Sequence, residues 1–227
     1  MATIQNNIQQ VHTRIERACA AAQRPVSGVG LLCVSKTFGP QVVRQAYAAG
    51  ERRFGENYVQ EGLDKIAALQ DLRPSLEWHL IGPLQSNKTR AVAEQFDWVH
   101  TVDKLKLAER LSLQRPASLP PLNICLQVNT SNEASKSGVA VDAVAALAQA
   151  VNALPNLRLR GLMAIPEPRV DYAAQRQSHR RLHDVMVSLN MPHLDTLSMG
   201  MSQDLEAAIA EGATLVRVGS AIFGGRV

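Results

Sequence analysis

The sequence holds no run of apolar residues long enough to cross a membrane. Its first residues, Met1 to Asn6, carry neither the basic segment nor the apolar one that directs export. Both absences point to a cytoplasmic protein. Cysteine is scarce: Cys19, Cys33 and Cys125 cannot all pair, and no CxxC spacing offers a zinc or redox site. A reducing compartment and no metal are therefore expected. Aromatic residues make up 4% of the chain, too few for a platform on which bases could stack. The 24 Lys+Arg against 20 Asp+Glu leave a net charge of +4, but the basic residues nowhere form a run, which argues against nucleic acid. Low-complexity segments, domain linkers and internal repeats are missing too. What is there is 227 residues, 46% hydrophobic and 19% charged, the size and balance of one larger globular domain over 1–227.

The apolar residues follow two periods in alternation. Ile4, Ile8, Val11, Ile15, Cys19 and Ala22 recur at three- and four-residue steps and predict an amphipathic helix over 3–23, with Thr3 as its cap. Short Val- and Leu-rich runs then predict strands at 31–37, 52–57, 77–82, 96–102, 122–129, 159–165, 194–198 and 214–219. Helical segments separate them, two with caps expected at Asp103 and Ser202. Eight strands alternating with eight helices, counting the N-terminal one, is the pattern of an α/β protein of the (β/α)₈ TIM barrel type with an extra N-terminal helix. An open doubly wound sheet shares the alternation, but eight near-equal units favour closure. Cys33 and Cys125 fall inside strands as small apolar residues, and Trp78 and Trp98 read as packing.

In such a barrel all strand exits face one bowl. Lys36 leaves the first strand, Glu56-Asn57 the second and Gly82 the third. Taken alone, Lys36 is most simply a rim lysine in water. Held against an apolar wall, its ammonium would lose solvation, its pKa would fall, and a nucleophilic amine would become accessible. The seventh and eighth exits read Ser198-Met199-Gly200-Met201-Ser202 and Arg217-Val218-Gly219-Ser220. Small residues beside a helix start let backbone N–H groups approach an anion. An amine and an anion cradle in one bowl is what pyridoxal 5′-phosphate (PLP) needs, the amine for its aldehyde and the cradle for its phosphate.

Seven segments carry a resemblance over nearly the whole chain: Val34-Ser35-Lys36-Thr37, Phe54 to Glu61, Trp78 to Lys88, Ser135-Lys136-Ser137-Gly138, Arg160-Gly161-Leu162-Met163, Leu197 to Ser202, and Val216 to Gly224. In that order they resemble the pyridoxal phosphate homeostasis protein family. The resemblance implies a barrel like the N-terminal domain of alanine racemase, the type III fold of PLP proteins, with a Schiff base on Lys36. It sets Arg217 facing the pyridine nitrogen. Arginine keeps its proton and can only donate to an unprotonated ring nitrogen, which makes the ring a poor electron sink. It also implies that Gly219-Ser220 and the turn from Ser198 to Gly200 hold the phosphate, and that Asn57 borders the ring or its 3′-oxygen. Members often carry a second lysine two positions after the first, where this chain has Phe38.

The expected function is intracellular vitamin B6 homeostasis. PLP would be held without evident catalysis and buffered or supplied, with apo PLP-dependent enzymes as candidate recipients and a monomer as the simplest state. The alternative is a small PLP-dependent amino-acid racemase or decarboxylase. Alanine racemase adds a C-terminal β domain and a partner's catalytic tyrosine, and Tyr47, Tyr58 and Tyr172 match no such base. His179 and His183 stand four apart on a helix, as two metal ligands can, but the arginines between them favour a solvated face. His79 reads as a core histidine or a ligand contact. The loop Ser135 to Gly138 reads as solvated, or as an anion contact with Lys136 as a secondary cofactor lysine.

Overall fold

Thr3 starts the first helix as the spacing predicts. In the computed structural model, which describes residues 3–131 and 137–225, its hydroxyl accepts the Asn6 amide at 3.2 Å and α1 (Ile4–Ala21) follows. Ile8, Val11, Ile15, Ala18 and Cys19 form the buried face of α1.

The strands are β1 (Gly30–Val34), β2 (Arg53–Glu56), β3 (Glu77–Leu80), β4 (Trp98–Val102), β5 (Leu122–Asn129), a two-residue β6 (Val139–Ala140), β7 (Leu157–Met163), β8 (Thr196–Ser198) and β9 (Leu215–Val218). Between and after them come α2 (Pro40–Ala48), α3 (Val59–Ala68), α4 (Thr89–Gln95), α5 (Leu105–Gln114), α6 (Val144–Asn152), α7 (Tyr172–Ser188), α8 (Leu205–Ala210) and α9 (Ser220–Phe223). The sheet runs β4-β3-β2-β1-β9-β8-β7-β5, and β4 pairs with β5 to close it. Every ladder is parallel, and β6 only extends the end of β5. This is the closed (β/α)₈ barrel that the alternation predicts, not the open sheet.

Side chains alternate across each strand and sort into two layers. Leu31, Cys33, Phe54, Trp78, Leu80, Val99, Ile124, Leu126, Leu162, Leu197, Val216 and Val218 point outward into the main core under the helices. Their neighbours point into the barrel. Leu32, Val34, Ile81 and Leu215 make one small apolar cluster, and Trp98, Cys125 and Met163 another. His79, His100, Ser198 and Arg217 share this inward register and are all buried. Trp78 and Trp98 pack as expected.

Some expected boundaries move. β1 ends at Val34 because Phe38 N–H turns back to the Ser35 carbonyl at 3.2 Å, with Thr37 at φ 68°. Lys36 therefore stands in a tight turn, not in the strand. Neither expected cap forms. The residue before α5 is Lys104, with no side-chain cap, and α8 starts only after Asp204. The Asp204 carboxylate instead accepts the Met201 amide at 2.6 Å, closing the turn that Ser202 was expected to open as a cap. The short helix α9 has no counterpart among the expected elements.

Candidate functional site

The exits of β1, β2, β3, β7, β8 and β9 surround a cavity of about 370 Å³, a size that suits a small organic ligand. Val34, Ile81, Ile165 and Met201 give it apolar walls. Lys36, Asn57, Arg217, Gly219 and Ser220 border it, joined by Ser202 and Asp204.

Lys36 is half-buried and its turn is gripped on both sides by α3. Lys65 Nζ donates to the Ser35 carbonyl at 2.7 Å, and the Thr37 N–H donates to Glu61 Oε2 at 2.8 Å. Lys65 also meets Glu56 Oε1 at 2.7 Å, and Ser35 Oγ donates to the same oxygen at 2.6 Å. Both charges of this pair are buried between β2 and α3. Burial pushes the Glu56 carboxyl up, against the opposite pull of Lys65 and Ser35.

Arg217 reaches the cavity from β9 while its guanidinium stays anchored. It donates to the Ser198 carbonyl, to Ser198 Oγ at 2.9 Å and to the Ala164 carbonyl at 2.9 Å. Burial pushes its pKa down to about 10, so it keeps its charge at neutral pH. Asn57 is set by a close approach. A Cβ on Gly82 would lie 1.9 Å from the Asn57 carbonyl oxygen, so only glycine lets the two loops pass.

Of the seven residues singled out in the sequence, Lys36, Asn57, Arg217, Gly219 and Ser220 border this cavity. Ser198 and Gly200 do not. Ser198 points inward, fully buried, with its hydroxyl between His100 Nδ1 and Arg217. Gly200, at φ 88°, packs against Ala208 and gives its carbonyl to the Arg217 amide. The hydroxyl that reaches the cavity from this segment belongs to Ser202, 3.2 Å from Ser220 Oγ. Ser202 stands in the same glycine- and serine-rich stretch, but there it reads as a helix cap.

The expected solvated face at His179 is also corrected. His179 is buried and its Nε2 lies 2.9 Å from Asp204 Oδ2, while His183 stays partly exposed. Burial opposes ionisation of Asp204, but the bonds from His179 and the Met201 amide outweigh it and hold the carboxyl below its usual range. His79 is a satisfied core histidine, bonded to Glu77 and His100. Phe38, in place of the family's second lysine, packs on Phe223 with ring centroids 5.6 Å apart. Ser135 and Lys136 lie outside the described residues. Among the described residues no group of three or more His, Cys, Asp or Glu gathers as a metal site, and no helix is long and apolar enough to cross a membrane.

Residues 2–227 match the profile of the alanine racemase, N-terminal domain family. The chain is similar to the pyridoxal phosphate homeostasis protein of Pseudomonas aeruginosa, 62% identical over 226 residues, covering 100% of this chain and 97% of that one. The protein of the same name from Escherichia coli K12 is 53% identical over 229 residues, covering 100% and 98%. Among solved structures, PipY of Synechococcus elongatus PCC7942 with PLP bound superposes with a TM-score of 0.80 at 39% identity, covering 93% of this chain and 100% of that chain.

Proposed function

The chain belongs to the pyridoxal phosphate homeostasis protein family, built on the alanine racemase N-terminal domain, and from that premise we propose that it holds PLP in the cavity at the strand exits and buffers or supplies it. The observation that carries this reading is the donor set of one cavity: the Lys36 amine, the Arg217 guanidinium, and the neighbouring hydroxyls of Ser202 and Ser220. The set fits the group in charge and in chemistry. PLP supplies an aldehyde, which a primary amine holds as a Schiff base.

Each residue has a stated task. Lys36 offers its amine from a turn that α3 keeps rigid. Arg217, charged at neutral pH and carrying only donors, would donate to an unprotonated ring nitrogen and could not accept from a protonated one. That partner would leave the ring a weak electron sink, which would discourage amino-acid chemistry. Ser202, Gly219 and Ser220 would hold the phosphate, and Asn57 would border the ring. On this reading the protein carries PLP rather than turning over amino acids, as a single barrel domain over 1–227 and as a monomer. Apo PLP-dependent enzymes would be the recipients. The described cysteines, all free and buried, suit a reducing cytoplasm.

The test is a spectrum of the protein with PLP before and after borohydride reduction, followed by peptide mass mapping. The expected result is a visible band that Lys36→Ala removes, a reduced adduct on Lys36, and transfer of PLP to an apo-enzyme. An adduct on any other lysine refutes the assignment. Robust turnover of an amino acid, abolished by Lys36→Ala, replaces the carrier with a small racemase or decarboxylase.

A further inference from the structure

A string of hydrogen bonds runs down the inside of the barrel, and cofactor binding at the strand exits does not by itself call for it. Arg217 Nη1 donates to Ser198 Oγ at 2.9 Å. Ser198 Oγ meets His100 Nδ1 at 2.9 Å, His100 Nε2 meets His79 Nδ1 at 2.9 Å, and His79 Nε2 meets Glu77 Oε1 at 2.8 Å. Arg217, Ser198, His100 and His79 are at most 4% exposed. Glu77, the first residue of β3, is half-buried and opens on a second cavity of about 340 Å³ at the strand starts, beside Arg53, Arg160 and Asp195. The string therefore joins the two mouths of the barrel.

Its ends orient every bond. A carboxylate only accepts, so His79 carries its proton on Nε2 and gives it to Glu77. Burial holds both imidazoles below the usual histidine range, so each is neutral with one N–H. His79 Nδ1 must then accept from His100 Nε2, and His100 Nδ1 must accept the Ser198 hydroxyl proton. Ser198 Oγ is left to accept from Arg217, a group that only donates. All four bonds point the same way, from the guanidinium to the carboxylate. Bonds aligned head to tail polarise and strengthen one another. The charged groups acting on the string from outside it are Arg53 near Glu77 and His79, Asp97 near His79, and Asp204 near Arg217.

We propose that Glu77, His79 and His100 are positioning residues for Arg217, and that through Ser198 they couple the far mouth of the barrel to the cofactor pocket. This rests on the reading of Arg217 as the partner of the ring nitrogen. A chain with one fixed direction holds the Arg217 fork in one orientation. Replacing Glu77 by an amide, which can donate as well as accept, releases that direction at its far end without touching the pocket.

The test is imidazole ¹⁵N NMR of the full chain at neutral pH, with PLP titrations of wild type, Glu77→Gln and Arg53→Gln. Expected are Nε2-protonated, neutral rings at His79 and His100, both shifting when PLP binds. Glu77→Gln should move the His100 signals and weaken PLP binding about fivefold or more, the lower end of couplings between sites. It should also shift the visible band of the bound cofactor. Arg53→Gln, which removes the ion pair to Glu77 at 3.5 Å but not the string, should leave affinity and band unchanged. Wild type that binds PLP with either ring protonated on Nδ1 overturns the coupling alone. So does a Glu77→Gln protein with wild-type His100 signals and affinity. Wild type that shows both Nε2 tautomers yet binds no PLP overturns the cofactor reading, and the coupling with it.

Discussion

Gly82 shows how a single hydrogen atom shapes the pocket. Any Cβ there would lie 1.9 Å from the carbonyl oxygen of Asn57, which is backbone and cannot swing aside. Gly82→Ala must push Asn57 away, so stability and PLP affinity should fall together, with a stability loss of about 1–3 kcal/mol for such overpacking. Gly225→Ala, where a Cβ meets nothing within 4 Å, is the control and should change neither. Urea denaturation and PLP titration of the two variants read this directly. Cys125 makes the opposite point, because burial, the largest influence on it, pushes its thiol up to about 12 against the pull of Arg160 and Arg217 and leaves it an inert filler.

At the scale of elements, α3 does more than cover the sheet. One turn of it supplies both groups that hold the Lys36 turn, Glu61 and Lys65, and the second is tied to the buried Glu56. Lys65→Met leaves that carboxylate uncompensated in the interior, a loss of about 3–5 kcal/mol when a buried pair is broken on one side. It should also lower PLP occupancy, because the Ser35 carbonyl loses its donor. Glu56→Gln with Lys65→Met should cost much less than the sum of the single variants, as a double-mutant cycle in urea will measure. Strict additivity would show that Glu56 and Lys65 do not act as a pair. The helix itself is legible in the sequence from Val59, Leu63, Ile66 and Leu69. Its polar grip is not, because the partners of Glu61 and Lys65 lie on the turn after β1 and on β2, which only the fold brings beside the helix.

For the whole molecule the buried histidines set the response to acid. Burial, the largest influence on each, lowers His79 and His100, so below about pH 6.5 the unfolded chain binds protons that the folded chain refuses. Their contribution is complete above that pH and is lost as pH falls. His12 works in reverse: its bond to Glu51 raises it, so its contribution is present below about 6.5 and lost as pH rises. The two effects therefore act on opposite sides of about pH 6.5. The melting temperature should be highest near pH 6.5, falling by the share of one half-exposed ring above it and by the share of two buried rings below it. A second decline should begin near pH 4, where Asp204, held below its usual range, gives up its advantage. Thermal melts across this range check both steps, and a melting temperature that rises on acidification through pH 6 would contradict the buried, neutral histidines.

By itself the sequence determined the barrel, the N-terminal helix and the family, because strand and helix periods, turn residues and short motifs are properties of neighbours along the chain. It also placed Lys36, Asn57, Arg217, Gly219 and Ser220 at strand exits, and those exits meet in one cavity. Which way a side chain turns at the end of a strand was decided only by closure. Ser198 and Ser202 look alike in the sequence, yet strand alternation sends the first into the barrel and the Asp204 turn sends the second to the cavity. His179 sits beside two arginines that face outward, and only the packing of α7 on the Asp204 turn buries it. Partners such as His100 and Ser198 stand 98 residues apart, on β4 and β8, whose inward side chains meet inside the barrel. No local pattern could pair them, because the two strands share one interior only once β4 has met β5.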